Sequence, residues 1–158
     1  FGQMSEILFM VAMPFFFRKL GVKWMLIVGM GAWVLRYALF AMAASSGVVW
    51  MIMIGIVLHG ICYDFFFVTG QIYVDKKSTP EIRGQAQGFL VMITLGLGML
   101  IGAQVSGWLN NYFKAGQDAL TASAWESFWW IPALFAAAVM LLFMFTFNED
   151  VESSEDEV

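Results

Sequence analysis

The sequence predicts an all-α membrane protein with five transmembrane helices, on three observations. Hydrophobic residues make up 61% of the 158 residues, charged residues only 13%, and the mean hydropathy is +0.77. A soluble domain carries about 25% charged and about 45–50% apolar residues, so this chain lacks the polar groups to cover a water-facing surface. The apolar residues also run on without alternating, whereas a membrane β-barrel reads as ~10-residue segments of alternating polarity. Finally, such runs recur, each near or above the ~20 residues a helix needs to cross hydrocarbon.

The first run, residues 1–17, is the shortest. It opens on Phe1 with neither a Met nor a basic flank, so it reads as the middle of a helix in a longer protein and not as a signal peptide. The second and third runs cover residues 24–44 and 48–74. Ser78, Thr79, Pro80 and Glu81 follow, a helix start with a cap, an early Pro and an early acid. The fourth run, 84–109, places Gly84 with Gly88 and Gly98 with Gly102, small residues four apart that allow close helix packing or mark a bend. The fifth run is 127–147. Residues 148–158 hold six acids in eleven positions and read as a solvated acidic tail.

Orientation follows from the basic residues. Arg18, Lys19, Lys23, Lys76, Lys77 and Arg83 are six of the eight Lys and Arg, and all fall in the first and third connections. The positive-inside rule makes that side cytoplasmic, and with it the tail. Trp24 then marks the inner boundary, while Trp50, Trp108, Trp125, Trp129 and Trp130 form an outer aromatic belt. A net charge of −4 argues against a nucleic-acid partner, and the lipid bilayer is the expected surroundings. One Cys and one His leave no disulfide framework, iron–sulfur cluster or multi-histidine metal site, so no metal or cofactor is expected.

The charges inside the spans are the most informative residues. Glu6, Arg36 and Asp64 lie deep within the first three runs, joined by His59. Each charge costs ~2.5–3.5 kcal/mol at the bilayer centre, so such residues usually face a cavity and serve a function. Counting from the cytoplasmic ends at ~1.5 Å per residue, Glu6 lies at ~16 Å, Arg36 at ~18 Å and Asp64 at ~15 Å, with His59 higher at ~22 Å. Three helices thus carry a charge at one level, about halfway through a ~30 Å core. Gln3 shares a face with Glu6, and Trp33 shares one with Arg36. Tyr63 adjoins Asp64. A midplane site of amide, carboxylate, guanidinium and aromatic groups suits a flat, polar, uncharged ligand. Glu6, Asp64 and Arg36 are the candidates for proton coupling. The structural alternative is that Arg36 simply pairs with Asp64 or Glu6. His59 and Cys62 read most simply as packing residues.

Gln3-Met4-Ser5-Glu6, Pro14-Phe15-Phe16 and the basic stretch Arg18-Lys19-Leu20-Gly21-Val22-Lys23 resemble the nucleoside–proton symporter family of the major facilitator superfamily. So do Trp33-Val34-Leu35-Arg36-Tyr37-Ala38-Leu39-Phe40, Asp64-Phe65-Phe66, and Pro80-Glu81-Ile82-Arg83 followed by Ala86-Gln87-Gly88. The resemblance runs from Gln3 to about Gly107 and implies a twelve-helix fold of two pseudo-symmetric halves. Residues 1–147 would then be an incomplete C-terminal transmembrane half-domain, its partners nucleosides, protons and the missing N-terminal half. It implies proton-driven nucleoside uptake by alternating access, with Gln3, Glu6 and Asp64 lining the nucleoside site. Tyr63 stands where a family member has Phe, and the basic stretch lacks the leading Asp of the superfamily's loop signature.

Two alternatives remain at this point: a sugar–proton symporter of the same superfamily, and a non-transport integral membrane subunit or enzyme. The sequence contains no paired His, HExxH, G-x-S-x-G or phosphate loop, so an enzyme is not expected.

Overall fold

The computed structural model describes residues 2–114 and 116–147, and every regular element among them is helical. The acidic stretch 148–158 lies outside the described residues.

The first helical run, Gly2–Ser46, has 45 residues. A straight helix of that length would extend ~68 Å, more than twice the ~30 Å of hydrocarbon. Gly21 prevents this. Its φ of 70° and ψ of 174° lie outside helical space, in a region that glycine enters without steric penalty. We therefore treat the run as two arms, α1 (residues 2–20) and α2 (residues 22–46). Met13 of α1 and Met25 of α2 belong to one buried cluster with Phe65, so the chain turns back on itself at Gly21. The basic stretch expected as a loop is thus absorbed into the two arms, with a single residue making the reversal.

The remaining helices are α3 (Val49–Lys77), α4 (Arg83–Lys114) and α5 (Ala122–Thr146). With the divided first run, these correspond to the five expected spans. Thr121 caps α5, its hydroxyl accepting the Ala124 N–H at 3.3 Å. The helices outrun the apolar stretches that predicted them: α3 by three residues, α4 by five, and α5 begins five earlier. Hydropathy marks the edge of hydrocarbon, whereas the helix continues while its backbone groups keep their own partners. The start of α4 also differs from expectation. Residues 80–82 form a turn, with the Thr79 carbonyl accepting from the N–H groups of Ile82 and Arg83, and no side chain caps the helix. Ser78 instead donates its hydroxyl to the Val74 carbonyl at 2.6 Å. A hydrogen bond from Thr79 holds the exposed Glu81 carboxyl below its usual range. Asp75 and Arg83 bridge this turn at 3.3 Å.

The arms α1 and α2 form the centre. Val22, Leu26 and Met30 of α2 pack with Met140 and Phe143 of α5. On the other side α2 meets α3 so closely that a Cβ on Gly29 would lie 3.0 Å from the Phe65 and Phe66 backbone. At Gly60, α1 and α3 touch backbone to backbone, and a Cβ there would lie 2.6–2.7 Å from Ser5 and Glu6 main-chain atoms. Small residues therefore do permit close packing, but on α2 and α3. On α4 the expected faces meet no other helix among the described residues: Cβ atoms on Gly84, Gly88 and Gly102 would have no neighbour within 4 Å, and one on Gly98 would meet only the Ile93 carbonyl of its own helix at 3.2 Å. No residue of α4 is buried among the described residues.

Neither long helix is uniform. α3 loosens after Leu58 and takes a π-helical course over Tyr63–Val68, and α4 does so over Met92–Gly98. Such wide turns frequently occur at functional sites.

Candidate functional site

The Ser5–Gly60 contact positions the first part of the site. Ser5 is buried, its hydroxyl donating to the Gly2 carbonyl at 2.6 Å and accepting the Gly60 N–H at 3.2 Å. That seats α1 directly on α3 and brings the neighbouring residues, Glu6 and His59, together. His59 Nε2 lies 3.0 Å from Glu6 Oε1. On the far side of the ring, an Arg36 terminal guanidinium nitrogen lies 2.7 Å from His59 Nδ1. Arginine can only donate, so Nδ1 must be the acceptor and Nε2 must carry the hydrogen given to Glu6. Glu6, thirty positions before Arg36, meets it through one imidazole, which is possible only because the chain reverses at Gly21.

This differs from both sequence expectations for these groups. Arg36 pairs with neither Glu6 nor Asp64 directly, and His59, expected well above the charged level, links Glu6 with Arg36. The count along each helix gave Cα heights, whereas long Glu and Arg side chains close several ångströms of offset. Arg36 also lies over the Phe40 ring, 5.5 Å from its centroid, and its Nε is buried without a partner among the described residues.

Asp64 is placed quite differently. It is fully buried, and neither carboxylate oxygen has a hydrogen-bond partner among the described residues. It lies at the start of the π-helical stretch, and its backbone carbonyl accepts from the Thr69 hydroxyl at 3.4 Å. A buried carboxylate without donors is costly, so its presence calls for a ligand, a proton or a state in which a partner arrives.

Tyr63 stands between His59 and Phe67, its ring centroid 6.4 Å from the first and 5.3 Å from the second. Gln3 is exposed on α1, one turn before Glu6. Trp33 turns toward the α3 backbone: its indole N–H donates to the Cys62 carbonyl at 3.3 Å, and its ring packs on Tyr37. It lines a hollow of about 280 Å³ with Met30, Tyr37, Phe66, Pro132 and Phe135. No charged side chain lines that hollow, so it is a poor receptacle for a polar ligand.

The structure thus brings Glu6 and Arg36 together through His59, sets Tyr63 beside them, and leaves the Asp64 carboxylate buried without a hydrogen-bond partner among the described residues. No role for Gly60 was legible in the sequence, and Ser5 stood out only as a member of the Gln3–Glu6 block. Their only positional signal was adjacency to Glu6 and His59.

A profile of the nucleoside H+ symporter family matches residues 1–152. YegT of Escherichia coli (strain K12) is 36% identical over 152 residues, covering 94% of this chain and 36% of YegT. The nucleoside permease NupG of the same organism is 34% identical over 149 residues, covering 93% of this chain and 36% of NupG. A crystal structure of a point mutant of the nucleoside transporter NupG superposes with a TM-score of 0.83 at 32% identity, covering 93% of this chain and 36% of that one. The chain therefore spans about a third of the length of the relatives it matches.

Proposed function

Since the chain belongs to the nucleoside H+ symporter family, we propose that it forms the C-terminal part of a transporter that takes up nucleosides with protons across the cytoplasmic membrane. The observation that carries this reading is the pair of carboxylates in the spans, Glu6 tied to Arg36 through His59 and Asp64 buried without partner. Two acids so differently supported can divide the work. Glu6, anchored in place, accepts hydrogen bonds from the nucleoside, helped by Gln3 and by Tyr63 as a stacking surface. Asp64 has no cation paired with it among the described residues, so a proton is its natural partner, and we assign it the coupling proton. Trp33 holds α2 against α3 beside this site. The rest of the polypeptide completes the cavity and supplies the second half needed for alternating access.

Uptake into cells expressing the complete transporter tests this. Radiolabelled uridine is expected to accumulate under an inward proton gradient, and a protonophore is expected to collapse the accumulation. Uptake indifferent to the protonophore, or competed equally by a free hexose, would refute the proposal.

Orientation has its own test. With Cys62 replaced, Ser46→Cys and Gln117→Cys are expected to react with an impermeant thiol reagent outside sealed cells, and Lys77→Cys is not. Outside labelling of Lys77→Cys would invert the assignment and move residues 148–158 to the external side.

A further inference from the structure

We infer that His59 is a positioning residue, a neutral connector whose task is to hold the Glu6 carboxylate ready for the nucleoside while keeping Arg36 off it. The inference rests on the nucleoside reading of the site.

Glu6 and Arg36 belong to α1 and α2, and His59 of α3 stands between them. A direct contact would have been the simpler design. It would also have been a worse binding site, because guanidinium and carboxylate favour a bidentate pairing that engages both oxygens. A carboxylate offers about four lone-pair positions, and a single imidazole N–H takes one. The interposed ring therefore anchors Glu6 while leaving most of its accepting capacity for ligand hydroxyl or ring N–H groups.

The ring's own orientation is fixed from behind. Arg36 requires a bare Nδ1, which leaves the only ring hydrogen on Nε2, facing Glu6 at 3.0 Å. Moving the ring hydrogen to Nδ1 would oppose two donors at 2.7 Å and two acceptors at 3.0 Å, so the pair of contacts permits one neutral tautomer. The backbone contact of the adjacent Gly60 with Ser5 fixes the distance between α1 and α3. The groups facing His59 are then Glu6 from α1, Arg36 from α2 and Tyr63 from its own helix.

This arrangement distinguishes two substitutions in the complete transporter. Gln can accept from Arg36 through its carbonyl and donate to Glu6 through its amide, but it cannot titrate. Leu can do neither. His59→Leu is expected to raise the KM for radiolabelled uridine by ~10-fold or more, equivalent to losing an interaction of about 1.4 kcal/mol, with the maximal rate changed much less. His59→Gln is expected to stay near the wild-type KM with an unaltered pH profile of uptake. Adding His59→Leu to Glu6→Gln should raise KM little beyond Glu6→Gln alone, since both remove one interaction.

A wild-type KM in His59→Leu would overturn the inference. So would a His59→Gln protein that is abundant in the membrane yet as impaired as His59→Leu, or one whose pH profile has shifted, because the ring would then act by taking a proton. If Glu6→Gln itself leaves KM unchanged, the nucleoside reading of the site fails. If Glu6→Gln raises KM and His59→Leu does not, only the role of His59 fails.

Discussion

Asp64→Asn in the complete transporter is expected to reduce uridine accumulation against a gradient to background while sparing exchange of uridine between compartments. Exchange moves no net protons, so it survives loss of the group that carries them. The same substitution is expected to leave the folded protein about as stable, because the carboxyl it replaces has no hydrogen-bond partner to lose among the described residues. The opposite holds for a structural ion pair, where removing one partner costs about 3–5 kcal/mol. Transport assays and thermal unfolding in detergent therefore separate the two roles. Normal proton-driven accumulation in Asp64→Asn would remove this carboxylate from the coupling step. A large fall in thermal stability would reveal a partner for Asp64 and make its role architectural.

Gly60→Val is expected to be the most damaging substitution at any position that makes no contact with the nucleoside. A Cβ at Gly60 already falls 2.6–2.7 Å from Ser5 and Glu6 backbone atoms, which cannot rotate away as a side chain would. The helices must separate, at a cost of about 1–3 kcal/mol or more for overpacking. Separation also draws Glu6 away from His59, so binding is lost along with stability. Even Gly60→Ala should show both effects in milder form. Gly70→Ala is the control on the same helix. Nothing lies within 4 Å of its Cβ, and replacing a helical glycine with alanine otherwise favours the helix by up to about 1 kcal/mol. Equal behaviour of the Gly60→Ala and Gly70→Ala proteins in melting temperature and uridine KM would contradict the close contact of α1 and α3.

The parts of this fold that were legible in the sequence are those governed by hydrocarbon. Runs of apolar residues located α3, α4 and α5, because a helix must match the thickness it crosses. The same ruler singled out Glu6, Arg36 and Asp64 as charges inside the runs. Which face each residue takes did not follow. His59 and Asp64 are five residues apart, and in a regular α-helix they would point ~140° away from each other. The π-helical stretch that begins at Tyr63 disturbs that angle, and no residue type announces it. Direct pairing of Arg36 with a carboxylate was a reasonable expectation from charge alone. It gave way to His59 because Gly60 brings α1 and α3 to backbone contact, which is knowable only once the neighbouring helices are known. Gly21 is a similar case: the basic residues around it suggested a loop of ordinary length, yet one left-handed glycine suffices.

The interposed imidazole also has a consequence for how the protein is made. A growing chain presents its N-terminal segments first, so α1 and α2 emerge from the ribosome before α3. Glu6 and Arg36 are therefore born without the residue that joins them. Released into lipid at that stage, each would lack its His59 contact, and a charge at the bilayer centre costs ~2.5–3.5 kcal/mol. The insertion machinery thus has reason to retain the α1–α2 hairpin until His59 arrives, and to discharge these three segments into the bilayer as one cargo.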